Sequence, residues 1–280
     1  MSAKSVPTPR IMIMRAIFSI LLLSTLFSVQ VVHAGLDEGI AAVEADDIEK
    51  ALVELQPLAM AGQVQAMTWL GKVYAEGMDD PVKAFSWFLK AAQKGDAEAQ
   101  TRLGESYAEG MGVEQDEEQA LFWFEKAARQ GDDEAQLALG THQEEVLADN
   151  AAALVWYERS AEQGNSDAQY RLGLLLLGEP GVPRQSIRAW VFLSLAAEDG
   201  VDEASEARDV LELGMRQAEL VQAKQQLHEW KKITSLIDDD LVVAHGAVIG
   251  HVSAAGQAGN TLCICGIKAC RQPIFASIAT

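Results

Sequence analysis

Between residues 97 and 131 apolar side chains return with the period of an α-helix. Ala99, Leu103 and Tyr107 stand at i, i+4 and i+8 and share one face. After a break at Gly110 and Gly112, Ala120, Trp123, Phe124, Ala127 and Ala128 line a second helix that stops at Gly131. The pattern predicts two antiparallel helices. Asp116 is placed to accept amide hydrogens where the second begins, with Gln119 as a capping-box partner. Asp133 with Gln136, and Ser166 with Gln169, give the same starting signal for later helices. Gly104 beside Leu103 removes a side chain where the partner helix must approach closely.

The pair recurs. Ala99-Gln100-Thr101-Arg102-Leu103-Gly104 returns as Ala135-Gln136-Leu137-Ala138-Leu139-Gly140 and as Ala168-Gln169-Tyr170-Arg171-Leu172-Gly173, with a weaker copy from Ala66 to Gly71. A second string closes each unit at Gly62, Gly95, Gly131, Gly164 and Gly200, at intervals of 33, 36, 33 and 36 residues. One helix pair cannot bury its apolar face alone, so neighbours must stack. The expected fold is all-α, a right-handed α-solenoid of tandem helix-turn-helix units near 35–62, 63–95, 96–131, 132–164 and 165–200, with capping helices over 201–232. In the first unit only the second helix is recognisable. Gln143 interrupts the third copy, which lacks both linker glycines, so 141–150 is expected to be the least regular stretch.

These strings resemble the Sel-one-like repeat family, a relative of the tetratricopeptide repeats. Ala99, Leu103-Gly104, Tyr107, Gly110-Met111-Gly112-Val113, Asp116, Ala120, Trp123-Phe124 and Ala127-Ala128 closing at Gly131 carry the likeness, which covers roughly residues 45–232. The resemblance implies a scaffold or adaptor that binds another protein through the concave solenoid surface, with regulatory roles in the bacterial cell envelope among those known for such proteins. Cysteine-rich secreted relatives are linked to β-lactam binding and hydrolysis, but each of their repeats carries a disulfide and no unit here contains cysteine. A secreted hydrolase of a β-lactam or cell-wall substrate, or a glycan or peptidoglycan binder, is the alternative reading.

Charge and the termini narrow the partners. The chain carries a formal −19, and all 41 acidic residues fall within 35–240. Such a body repels phosphates and anionic headgroups, which excludes nucleic acid. Residues 1–34 read as a signal peptide. Arg10 and Arg15 precede an apolar run to Val32, and Val32-His33-Ala34 offers small residues for cleavage after Ala34. Interrupting Ser and Gln residues favour removal over a retained membrane span. A periplasmic or secreted product beginning at Gly35 is expected. Residues 233–280 are expected to form a disordered tail; its Cys263, Cys265 and Cys270 have no close fourth ligand, His251 being the nearest.

No catalytic, metal or cofactor motif emerges in the repeats; His142 and His228 are far apart, and no cysteine precedes residue 263. Trp87, Trp123, Trp156 and Trp190 read as one recurring position, hence core packing. Positions that vary between copies cannot serve the shared frame. On the first helices these are Trp69, Arg102, Tyr170 and Arg171, with Lys72, Glu105 and Thr141 just past the repeat glycine. They form the candidate partner-binding stripe. If solvated, Arg102 and Arg171 should tolerate charge reversal without loss of helicity or melting temperature.

Overall fold

The computed structural model describes residues 35–247, with side chains as far as Thr234, and every regular element among them is helical. They fall into two compact units that divide between Trp123 and Phe124.

The first unit holds α1 (35–44), α2 (Ile48–Met60), α3 (Val64–Lys72), α4 (Pro81–Gln93), α5 (Ala97–Glu109) and the start of α6 (Glu117–Arg129). Its core gathers Leu55, Leu70, Phe88, Leu103 and Trp123. Residues 35–62 thus contain a complete pair: α1 is the first helix that the sequence pattern left hidden, and Leu36 and Ala42 join the core. A Cβ on Gly39 would stand 2.6 Å from Leu55, and one on Gly71 would stand 2.4 Å from the Phe88 ring. These glycines let the two helices of a pair touch. Gly71→Ala is therefore expected to cost about 1–2 kcal/mol in urea unfolding, because the buried ring must give way.

Two kinds of linker join the helices of a pair. In the short kind Asp46 (φ 57°) and Asp79 (φ 51°) turn the chain. The following Asp47 and Asp80 cap the next helix, accepting from Lys50 N and Lys83 N at 3.1 Å. A five-residue π turn, Val73–Gly77, joins α3 to the second of these linkers. The long kind uses Gly110 and Gly112, with φ of 74° and 75°. Gly112 is doubly constrained, since a Cβ there would lie 2.1 Å from the Pro81 carbonyl oxygen. Asp116 then accepts from Gln119 N at 3.0 Å, but its own amide donates to the Tyr107 carbonyl at 2.9 Å. The predicted capping box is thus realised only from the Asp116 side.

The second unit holds the rest of α6, then α7 (Asp133–Glu145), α8 (Asn150–Ala161), α9 (Ser166–Leu175), α10 (Ser186–Glu198), α11 (Asp202–Gly214) and α12 (Gln217–Ala247). Tyr157, Leu172, Leu175, Leu176, Phe192 and Leu193 are fully buried in its core. The helix starts differ by one residue from those predicted. Asp132 and Asn165, not Asp133 and Ser166, accept from Ala135 N (3.0 Å) and Ala168 N (2.9 Å). The following residue is already helical and cannot curl back onto its own first turn. Gln136 and Gln169 serve elsewhere. They are buried, and each amide nitrogen donates to a carbonyl at the end of the preceding helix, that of Ala128 or Ala161, at 3.3 Å. Gln100 does the same to Ala92 at 3.2 Å in the first unit. The recurring glutamine ties one pair to the next.

The stretch 141–150 is more regular than expected. α7 continues to Glu145, and Ala148 (φ 52°) followed by the capping Asp149 repeats the short linker. The four tryptophans do not all share one repeat position. Trp87, Trp123 and Trp156 precede their closing glycine by eight residues, whereas Trp190 precedes Gly200 by ten, and Phe192 takes the shared place. Trp123 and Trp190 are buried, but Trp87 and Trp156 are half-buried beneath Lys90 (3.8 Å to the ring centroid) and Arg159 (4.8 Å). Cation–aromatic contact covers what the core does not.

At the C-terminal end Trp190 donates its indole N–H to Glu212 (3.1 Å), and Phe192 meets Trp230 edge-on at 5.6 Å. α12 continues to Ala247, past the boundary expected at 232, because no glycine or proline interrupts 233–245. The predicted signal peptide and the three cysteines lie outside the described residues.

Candidate partner-binding face

In the first unit the predicted stripe occupies α3 and α5. Lys72 pairs with Glu98 across the two helices, and its ammonium lies 4.2 Å from the centroid of the Trp69 ring. Arg102 reaches both carboxylate oxygens of Glu105, at 3.0 and 3.3 Å. All four predicted residues are half-buried. They are held in place before any partner arrives.

In the second unit Thr141 and Arg171 meet in one polar network around a buried phenol. Tyr157, on α8, is fully buried; its hydroxyl donates to Glu144 at 2.7 Å and lies 3.3 Å from Thr141 Oγ1. Arg171, on α9, reaches back to Glu144 (3.3 Å) and Glu145 (2.9 Å) on α7. Arg171 is therefore not the solvated residue that a harmless charge reversal requires. It joins two first helices, and its reversal must cost stability. Tyr170 stands apart from this network, half-buried at the edge of a cleft toward α11.

Burial, more than its bond to Glu144, pushes the Tyr157 phenol well above its ordinary value, against a smaller opposing effect of Thr141. The group is neutral in the folded chain where an unfolded chain has already ionised it. Stability is thus fully present below pH ~10 and falls above it, by about 1.4 kcal/mol per pH unit until the folded phenol itself titrates. Tyr157→Phe should remove that alkaline slope in denaturant melts between pH 9 and about 11. An unchanged slope would show that Tyr157 does not produce it.

The repeat register of these variable positions continues onto α11. Adding 36 residues to Ala168, Tyr170, Arg171 and Leu174 gives Ala204, Glu206, Ala207 and Val210 on α11. Ala204 is fully buried like Ala99, Ala135 and Ala168, whereas Glu206 and Val210 are exposed. In sequence α11 resembles a cap because Arg208 and Asp209 stand where the Leu-Gly pair belongs; the buried alanine is the remaining signal.

Among the described residues no group of His, Cys, Asp and Glu is arranged to hold a metal ion, and no helix is long and apolar enough to cross a membrane. Helix pairs with a glycine at the crossing, an aspartate or asparagine at the start and a buried glutamine at the junction define an all-α repeat protein of the solenoid class. Four Sel1 repeats are matched, at residues 64–96, 97–132, 133–165 and 166–201. The chain belongs to the Sel1 repeat family, whose repeats commonly mediate protein interaction.

Two solved structures illustrate the likeness. A Sel1 repeat protein from Oxalobacter formigenes is 31% identical with a TM-score of 0.57, over 62% of this chain and 73% of that one. The c5321 protein, a protective antigen of uropathogenic Escherichia coli with an SLR fold, is likewise 31% identical with a TM-score of 0.57. That match covers 70% of this chain and spans only 44% of the c5321 protein. No curated protein matches the chain.

Proposed function

We propose that this protein is an exported, non-catalytic scaffold of the bacterial cell envelope that holds a partner protein through the variable positions on the first helices of each unit. The observation that carries the reading is the state of the variable positions. In each unit one of them bridges neighbouring first helices, Lys72 to Glu98 and Arg171 to Glu144 and Glu145, and stays partly open to solvent. A surface whose long side chains are already ordered loses less entropy on docking. Family membership supports the same role, and the leader-like residues 1–34 support export.

Two measurements test the reading on the full-length gene product. Mass spectrometry of the protein from envelope fractions should give a chain beginning at Gly35; an intact N-terminus retained in the cytosol would remove the export claim. Affinity capture should yield a defined partner that the Trp69→Ala and Arg102→Glu variants lose while keeping wild-type helicity. Equal capture by both variants would detach the stripe from function, and nitrocefin turnover by the purified protein would favour the hydrolase instead.

A further inference from the structure

We infer that the cleft between α9 and α11 receives a partner segment in which a bulky aliphatic side chain stands one to two helical turns from a lysine or arginine. This rests on the scaffold reading and names the chemistry that one part of its face would recognise. The cleft has a volume of about 590 Å³, room for one or two large side chains. Tyr170, Leu177, Ala207 and Val210 give it an apolar floor and wall.

Val210 is 71% exposed, and Leu213, one turn on, is 89% exposed. Both lie open on a helix whose other face is buried through Ala204 and Leu211.

Charge sets what the apolar part can accompany. Glu203 and Glu206 line the cleft on the N-terminal side of Val210; both are exposed and take part in no ion pair among the described residues. At 1.5 Å per residue they precede Val210 by roughly 6 and 10 Å along α11. That distance sets the separation between the aliphatic anchor and the cation of the occupant. Arg184, also lining the cleft, is pinned by bonds to Ser186 Oγ and the Leu177 carbonyl, both at 3.0 Å. Its fixed positive charge disfavours a uniformly cationic segment and gives the cleft a direction. An acidic segment would meet two carboxylates, and a purely polar one would leave the apolar wall wet.

The test uses the full chain and fluorescein-labelled peptides of about 18 residues in fluorescence-polarisation titrations. One probe carries Leu and Lys at helical spacing; in a second Glu replaces Lys, and in a third Ser replaces Leu. The Leu/Lys probe should bind at least tenfold more tightly than either of the others. Glu203→Lys with Glu206→Lys should weaken it at least tenfold, as should Val210→Ser. Glu44→Lys with Glu49→Lys, an equal charge change on exposed residues of the first unit, should leave it within about threefold. All five positions are exposed, so unchanged circular dichroism is expected for these variants.

Equal binding of the Leu/Lys and Ser/Lys probes, or equal loss in the distant double variant, would reduce the effect to bulk charge and overturn the inference. So would a self-associated chain that Val210→Ser converts to monomer, since a second copy would then be the occupant. If the probe fails while stripe variants still lose their captured partner, this inference falls and the scaffold reading stands. If the probe binds and no partner is captured, the reverse holds.

Discussion

Leu103→Ala is expected to destabilise the protein by about 2–5 kcal/mol. Leu103 is fully buried in the first unit's core, which also gathers Leu70, Phe88 and Trp123. Removing its three outer carbons forfeits transfer free energy and leaves a void that rigid helix pairs close only in part. The loss should concentrate where it is made, because repeat arrays derive stability from each unit and its immediate neighbours. Urea titration followed by circular dichroism at 222 nm should show an earlier transition, and hydrogen exchange should place the lost protection in α3 to α5. A transition that stays put would remove Leu103 from the core.

Arg171→Glu ranks second, at about 2–3 kcal/mol. The reversal deletes bonds to Glu144 and Glu145 and sets a third carboxylate beside them, next to the buried Tyr157 hydroxyl. Arg171 keeps 34% of its side chain exposed, so the cost lies below the roughly 3–5 kcal/mol of breaking a fully buried pair. Arg171→Met, which removes the charge without adding repulsion, should recover part of the loss. Salt should narrow the gap between Arg171→Glu and wild type by screening the added carboxylate. Arg102→Glu is the contrasting case: the bond it loses, to Glu105, lies within one helix, one turn away, and that loss should cost less than a bond between helices. Equal melting temperatures for wild type and Arg171→Glu would contradict the network.

What the sequence disclosed and what it concealed follow one physical division. Patterns made within a few residues were legible: Ala99, Leu103 and Tyr107 on one face, Gly110 at the end of α5, the Gly71 and Gly140 type of crossing. Features decided by a choice between adjacent, chemically similar residues were misplaced by one or two positions. Asp132 precedes Asp133 and Asn165 precedes Ser166, and only backbone geometry selects the member that caps; Trp190 stands two residues before Phe192, and both are buried, but only Phe192 holds the repeat position. α1 was hidden because Gly39 comes 23 residues before Gly62, one fewer than the 24 that separate Gly71 from Gly95. The candidate stripe was located by its variation between copies. Its pairing was not, since Tyr157 meets Thr141 and Glu144 across 16 and 13 residues and Arg171 meets Glu144 across 27. Such contacts leave no local periodicity.

From residue 63 to residue 200 short and long linkers alternate, after a further short one in the pair 35–62. A 33-residue and a 36-residue unit together make 69 residues, and that doublet occurs twice in succession, over 63–131 and 132–200. Inserting a further single pair within 63–200 would place two linkers of the same kind side by side; inserting a doublet preserves the order. The smallest cassette that gene duplication or protein engineering can insert or excise without changing that rhythm is therefore two helix pairs long.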